Sequence, residues 1–129
     1  MPPSPLPAWH RVLESRDPSG LDALLAEDVV FHSPVVHTPQ AGRILTRMYL
    51  AAAMHVLVRP DFRYVREIVG ERDAVLEFTV EIDGVVVNGV DLIHWDDEGL
   101  IDDFKVMLRP LQAIDKVQQM MAAVLRNSA

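Results

Sequence analysis

The chain has 129 residues, of which half are hydrophobic and none is cysteine, and its formal net charge is −7. This length and composition predict one folded domain with its own core. The acidic balance argues against general binding to nucleic acids or to anionic membranes, because both require basic surface, and the lack of cysteine excludes disulfides and thiolate chemistry. The first residues lack the basic and apolar regions of a signal peptide, and no apolar run approaches the roughly 20 residues of a membrane span. We therefore expect a cytoplasmic protein.

The chain begins with a proline-rich segment and two predicted helices. Residues 1–7 contain four prolines and are expected to be a flexible lead-in to a single domain of residues 8–129. A short helix should follow, with Trp9 and Leu13 on one face. Ser19 is a plausible N-cap for a second helix.

A short strand and a longer helix come next. Residues 29–32 are β-branched and aromatic, which favours a strand. Gly42 opens a helix that should run to about Val58 and end before Pro60. The apolar residues expected to form its buried face recur every four positions: Ile44, Met48, Ala52 and Val56.

From residue 61 onward the hydrophobic period changes to two, which is typical of strands. Asp83-Gly84 and Asp97-Glu98-Gly99 are turn signals between successive runs. Four strands are predicted, over about residues 62–67, 76–82, 85–95 and 101–108. A final helix should start at Pro110. The order of helices first and antiparallel strands later predicts an α+β fold, with helices on one face of a sheet that encloses a cavity.

Three stretches carry a resemblance to a known family. They are DVVFHSP at residues 28–34, Gly42-Arg43 at a helix start, and GVDLIHWDDEGLI at residues 89–101. In this order and spacing the chain resembles the nuclear-transport-factor-2-like superfamily over about residues 8–110, including its SnoaL-like (polyketide-cyclase-like) and ketosteroid-isomerase-like proteins. The resemblance implies an NTF2-like cone, in which a curved, mostly antiparallel sheet wraps around N-terminal helices and a C-terminal helix follows. It also implies a central pocket and a homodimer.

The resemblance to ketosteroid isomerases extends to only one of their three key positions. Those enzymes have a carboxylate base where this chain has Ser33, and a tyrosine donor where ungapped spacing puts Trp9. Their protonated aspartate corresponds to Asp91. The cyclase-like relatives carry an acid on the last strand, where this chain has Val106. The pattern predicts that this chain is not a ketosteroid isomerase.

Asp91 is the principal candidate for a catalytic group. In a pocket among apolar neighbours its carboxyl would be desolvated and its pKa raised. The alternative is an outward-facing Asp91 that pairs with Lys105 across the hairpin, and the sequence leaves both possibilities open, because a bulge would change the face. The residues expected to line a ligand pocket with Asp91 are Trp9, Phe31, Ser33, Leu76, Phe78 and Phe104.

No metal or cofactor is expected. His32, His37 and His94 lack the spacing of a recognisable metal site. The acidic run at residues 96–99 lacks the ligand pattern of an EF-hand and indicates an exposed turn.

Three kinds of function remain open from the sequence. The first is an enzyme that isomerises, cyclises or hydrates a small, largely apolar metabolite. The second is a non-catalytic binder of a small apolar or carbonyl-bearing ligand, for which an apolar cavity is sufficient. The third is a dimeric interaction module of the same fold, and the fold alone does not distinguish among the three.

Overall fold

The computed structural model describes residues 2–127, so the first residue and the last two lie outside it. The helices and strands of this part of the chain are α1 (Leu6–Ser15), β1 (Leu25–His32), β2 (Gln40–Ala41), α2 (Arg43–Leu57), β3 (Arg63–Val69), β4 (Asp73–Ile82), β5 (Val85–Trp95), β6 (Ile101–Arg109) and α3 (Leu111–Asn127). Two short 3₁₀ turns, Pro18–Gly20 and Asp22–Leu24, connect α1 to β1.

The strands form one six-stranded sheet in the order β2-β1-β6-β5-β4-β3. The β1–β6 pair is parallel, and the other neighbours are antiparallel. One face of the sheet packs with α1, α2 and α3 into a single apolar core, and we call this the inner face. The predicted α+β fold, with N-terminal helices, a curved sheet and a C-terminal helix, is confirmed.

The β4–β5 hairpin forms as predicted. Leu76, Phe78, Val80 and Ile82 are buried on the inner face, whereas Glu81 is exposed on the other face. The turn places Asp83 and Gly84 at φ of 50° and 82°, which fits the left-handed two-residue turn of a tight hairpin.

Gly89 on β5 leaves space for a large side chain of β4. It pairs with Phe78, and a Cβ at position 89 would lie 2.5 Å from Phe78 Cζ. The Phe78 ring therefore lies directly over the Gly89 backbone. This close approach positions the ring on the inner face, where the candidate site is found.

The N-terminal lead-in is shorter than predicted, because α1 already begins at Leu6. Pro7 lies in its first turn, where a missing N–H does no harm. Pro3 contacts the β5–β6 turn, since a Cβ at Gly99 would lie 2.5 Å from its carbonyl oxygen. The prediction for residue 1 lies outside the described residues.

The second predicted helix is wrong and is replaced by the two 3₁₀ turns. The cap is the Asp17 side chain, which accepts a hydrogen bond from the Ser19 N–H at 3.0 Å. Gly20 disfavours a continuing helix, and at Leu25 the backbone is already extended, with φ of −100° and ψ of 134°. β1 consequently begins four residues before the predicted strand.

The predicted buried face of α2 is confirmed only for Ala52 and Val56, which are both buried. Ile44 is 72 % exposed, and Met48 is on the exposed side with it. Thr46, Leu50 and Met54 are buried instead. Because α2 is apolar around most of its circumference, a four-residue spacing does not select one face. No helix within residues 2–127 is both long enough and apolar enough to cross a membrane.

Candidate functional site

A small cavity lies between the helices and the inner face of the sheet. Its volume is about 30 Å³, which is room for about two water molecules. Trp9 and Leu13 of α1 line one side, and four side chains of α2 line another. The sheet contributes Tyr64, Phe78 and Asp91 together with Phe104 and Val106. The wall is therefore apolar except for the carboxyl of Asp91, the Tyr64 hydroxyl and the Trp9 indole.

Asp91 faces this cavity because β5 alternates without interruption, which puts Asp91 on the same face as the buried Val87, Ile93 and Trp95. The register shifts between His94 and Trp95, so that Asp91 pairs with Val106 and Leu92 pairs with Lys105. The surface pair of Asp91 with Lys105 does not form. Asp91 is only 6 % exposed, and its side chain lies on the inner face of β5.

A chain of two hydrogen bonds links Asp91 to α1. Tyr64 Oη donates to Asp91 Oδ2 at 2.6 Å, and Trp9 Nε1 donates to Tyr64 Oη at 2.9 Å. Tyr64 comes from β3, where it pairs with Phe78 of the intervening strand β4. Side chains on one face of alternate strands meet across the strand between them. Within residues 2–127, Tyr64 is the only hydrogen-bond partner of the Asp91 carboxyl.

Burial dominates the ionisation of this pair. It raises the pKa of Asp91 from 3.8 to about 7, and the hydrogen bond from Tyr64 opposes the rise only in part. Burial and the nearby Asp91 carboxyl raise the pKa of Tyr64 well above its ordinary value of 10.0. Near neutral pH, Asp91 therefore exists in both the neutral and the ionised form, whereas Tyr64 keeps its proton.

The two forms of Asp91 have different chemistry. The neutral carboxyl can donate a hydrogen bond to a carbonyl oxygen, and that bond strengthens if negative charge develops on the oxygen. The ionised carboxylate is an acceptor and a base with a pKa near physiological pH. The Trp9 indole is a donor only, and its N–H already binds Tyr64.

Residues 6–104 match the family model of the SnoaL-like domain. The chain belongs to the SnoaL-like family. No match to it is found among the curated proteins.

Solved structures similar to this SnoaL-like domain include one described as a steroid delta-isomerase from Pseudomonas aeruginosa. The two share 37 % sequence identity with a TM-score of 0.90, over 95 % of this chain and 90 % of that one. A protein of Silicibacter pomeroyi DSS-3, described as uncharacterised with a cystatin-like fold, shares 34 % identity with a TM-score of 0.80, over 88 % and 79 % of the two chains. SalBIII, described as an epoxide hydrolase/cyclase-like enzyme of salinomycin pyran ring formation, has a TM-score of 0.63 at 17 % identity, over 81 % and 87 %. At that identity, SalBIII shows a common fold alone.

The structure brings together four of the pocket residues predicted from the sequence of this SnoaL-like domain. Trp9, Phe78 and Phe104 line the cavity with Asp91. The Trp9 and Phe104 rings meet edge to face at 5.1 Å. These aromatic rings exclude water from the carboxyl and account for much of its desolvation.

Phe31 and Leu76 are not among the cavity's lining residues. Both are fully buried in the surrounding core. The Phe31 ring packs against Tyr49 and against Phe104, at centroid distances of 5.8 Å and 6.1 Å. The prediction that Phe31 and Leu76 line the pocket is therefore wrong for this cavity.

Ser33 lies outside the cavity, in a separate groove at the end of β1. His32, His37 and Lys105 line the same groove, and Ser33 Oγ accepts a hydrogen bond from the N–H of Val35 at 3.2 Å. The position at which ketosteroid isomerases carry their base therefore provides neither a carboxylate nor a cavity-facing side chain here.

Two of the three histidines considered as metal ligands, His32 and His94, pair with carboxylates of β6. His32 Nε2 lies 2.9 Å from Asp103 Oδ1, and His94 Nδ1 lies 2.5 Å from Asp102 Oδ1. The hydrogen bond to Asp102 raises the pKa of His94. Among the described residues, no three potential ligands are grouped to hold a metal ion.

Tyr64 is the site residue that the sequence interpretation missed. The only signal was its position in the alternation of β3, between Phe62 and Arg66. That pattern indicates the face of the strand but not a contact with a residue 27 positions away.

Proposed function

We propose that this SnoaL-like domain binds a small, largely apolar molecule with a carbonyl group, and that neutral Asp91 donates a hydrogen bond to the carbonyl oxygen. One observation carries the proposal: a buried carboxyl at the wall of an apolar cavity has Tyr64 as its only described partner. A buried polar group is stable when its hydrogen-bonding capacity is satisfied. A ligand carbonyl would accept the hydrogen bond that neutral Asp91 can still donate.

The ionisation of Asp91 supports a neutral, hydrogen-bonding ligand group. With a pKa of about 7, the carboxyl carries its proton in a large fraction of molecules at neutral pH. An anionic group beside Asp91 would face an ionised carboxylate in the rest of them. A carbonyl accepts from the neutral form without introducing a second charge into the apolar cavity.

The ligand must displace side chains to enter. A cavity of about 30 Å³ is far smaller than the roughly 300 Å³ or more of an ordinary small-molecule pocket. Four of its wall residues, Leu13, Val58, Phe62 and Tyr64, also border an open groove of about 270 Å³. Movement of these side chains would join the two spaces, and we propose that the ligand occupies both.

A thermal-shift screen of small ketones, each matched with its secondary alcohol, tests this proposal. Asp91→Asn keeps a donor through its amide, so ketones that raise the melting temperature of the wild type should also stabilise this variant. Asp91→Leu removes the donor and should lose most of the stabilisation, because a ligand stabilises only in proportion to its binding to the folded state. Ketones that bind all three proteins equally would contradict a role for Asp91.

Catalysis of isomerisation is a second candidate, favoured by the 37 % identity to a protein described as a steroid delta-isomerase. Such a reaction needs a base to remove a carbon-bound proton. Asp91 is the only carboxyl that lines the cavity within the described part of the chain. One carboxyl cannot act as base and as neutral donor at the same time, and this favours binding over isomerisation.

We also propose that the protein forms a homodimer through the outer face of the sheet, where Val86 and Met107 are more than half exposed. Exposed apolar side chains on a sheet favour association. The net charge of −7 supports a protein that binds neither nucleic acid nor anionic membranes. We propose a cytoplasmic location.

A further inference from the structure

The open groove beside the cavity has a polar rim. It lies between α1 and the loop that joins α2 to β3, and shares Leu13, Val58, Phe62 and Tyr64 with the cavity wall. A ligand that reaches Asp91 past these four side chains would extend into the groove. The chemistry of the rim therefore acts on the part of the ligand that remains outside the cavity.

Besides Tyr64, four charged or titratable side chains line this groove: His10, Glu14, Arg16 and Arg59. His10 Nε2 lies 2.8 Å from Glu67 Oε1, so a carboxylate already neutralises any charge on the imidazole. Within residues 2–127, neither arginine has a carboxylate at ion-pair distance. The groove-lining side chains other than the paired His10 are two guanidinium groups and one carboxylate, which together carry one positive charge.

The Arg59 guanidinium is held in place by neutral groups. Its Nε donates to the carbonyl oxygen of Val56 at 3.0 Å, and its Nη2 lies 3.9 Å from Met120 Sδ. The nearby carboxylate of Asp83 is bound to Lys116 Nζ at 2.9 Å. Arg59 thus keeps its charge and most of its donors for an external anion, in a fixed position that reduces the entropy lost on binding.

We infer that the ligand carries a carboxylate, which binds Arg16 and Arg59 at the groove while its apolar, carbonyl-bearing part occupies the cavity. A carboxylate matches the planar donor fork of a guanidinium. A single negative charge also matches the rim, because Glu14 repels a dianion such as phosphate more strongly than it repels a carboxylate. This inference rests on the proposed carbonyl site and adds a second, charged recognition point to it.

The test uses naphthyl ketones that carry a carboxylate on a methylene tether, in a series of increasing tether length. Each compound is compared with its methyl ester, which has the same apolar body and carbonyl but no charge. Calorimetric titration gives both dissociation constants. For the best tether we expect the acid to bind the wild type about tenfold more tightly than its ester, as a charge-assisted hydrogen bond at a partly exposed site predicts.

Substitutions of the two arginines test whether they cause the tighter binding of the acid than of its ester. Arg16→Gln combined with Arg59→Gln should reduce this preference to within about twofold, while the esters keep their affinity. Arg59→Lys keeps the charge and should retain part of the preference. Arg47→Gln is the matched control, because Arg47 pairs with Asp22 and does not line this groove. Should the double variant fail to fold, Arg16→Gln alone, at an exposed side chain, should still lower the preference about threefold.

The outcomes separate this inference from the proposed function. If esters bind the wild type but not Asp91→Leu, and no acid binds more tightly than its ester, the carboxylate site is wrong and the carbonyl site stands. A preference that survives in the double variant also overturns the carboxylate site. If neither acids nor esters bind the wild type at any tether length, both proposals fail.

Discussion

Replacing Asp91 by asparagine should stabilise the protein at neutral and alkaline pH. Asparagine has nearly the same shape, and its amide oxygen still accepts from Tyr64, but it cannot ionise. The pKa of Asp91 rises from 3.8 in the unfolded chain to about 7 in the folded protein. This difference corresponds to about 4 kcal/mol of stability that the wild type loses on ionisation.

The raised pKa fixes the sign and the pH range of the effect. The stability contributed by neutral Asp91 is complete below pH 3.8 and is lost as the pH rises through about 7. The two proteins should therefore have similar stability near pH 4. Above pH 7 Asp91→Asn should be more stable by roughly 2–4 kcal/mol, with the difference growing by about 1.4 kcal/mol per pH unit in between.

Urea unfolding of both proteins across this pH range measures the difference directly. Taking the difference between two proteins removes the contribution of the other carboxyls. Asp28→Asn, at an exposed carboxyl on β1, is the control that removes one negative charge without changing the buried site. A difference between wild type and Asp91→Asn that stays constant from about pH 4 to about pH 8 would refute the reasoning.

Three further predictions concern the core, the reaction and the assembly. Phe78→Ala should lower the free energy of unfolding by roughly 3–5 kcal/mol in urea titrations, because the buried ring also stacks on Phe62 at 5.2 Å; a loss below about 1 kcal/mol would contradict its packing. The purified protein should not isomerise a β,γ-unsaturated ketosteroid in a spectrophotometric assay, since the cavity lacks a second carboxyl. Robust turnover abolished by Asp91→Asn would show that Asp91 acts as the base. Light scattering should give twice the chain mass of 14.5 kDa for the wild type and the monomer mass for Met107→Glu; a monomeric wild type would disprove the dimer.

Local sequence pattern was enough to predict the centre of the fold. The alternation from Leu76 to Ile82 assigned the buried face of β4, and Asp83-Gly84 marked the hairpin turn. Both signals are short-range. A strand with one apolar face allows only one register, and an Asp-Gly pair favours a tight hairpin turn. The order of the predicted elements indicated the α+β class, and the family resemblance added the curved sheet around N-terminal helices with a C-terminal helix, which the structure confirms.

The sequence predictions that were wrong concern segments whose pattern is compatible with two different structures. On α2, apolar residues surround the helix axis, so packing against β1 decides that Ile44 is exposed and Leu50 is buried. After α1, the Asp17 cap and Gly20 favour short 3₁₀ turns over the predicted helix. On α2 tertiary contacts therefore decide between two possible faces, whereas after α1 a local cap and a glycine override the helical pattern.

The candidate site was only partly predictable for a different reason. Asp91 could be selected from its apolar neighbours, and its face follows from the alternation of β5, but its partner on β6 depended on a register shift near His94 that no residue type signals. Tyr64 binds Asp91 across an intervening strand, and such a contact follows from sheet order and curvature. The cavity volume of about 30 Å³ could not be predicted either, because it depends on how side chains of α1, α2 and four strands pack together.

The infrared spectrum of a bound, ¹³C-labelled ketone tests the central claim most directly. A hydrogen bond from neutral Asp91 polarises the carbonyl and lowers its stretching frequency. In the wild type below pH 7 the band of the bound ketone should therefore lie at lower frequency than in Asp91→Leu, and the difference should disappear as the pH rises through about 7 and Asp91 ionises. The same band position in both proteins at every pH would contradict a hydrogen bond from Asp91 to the ligand.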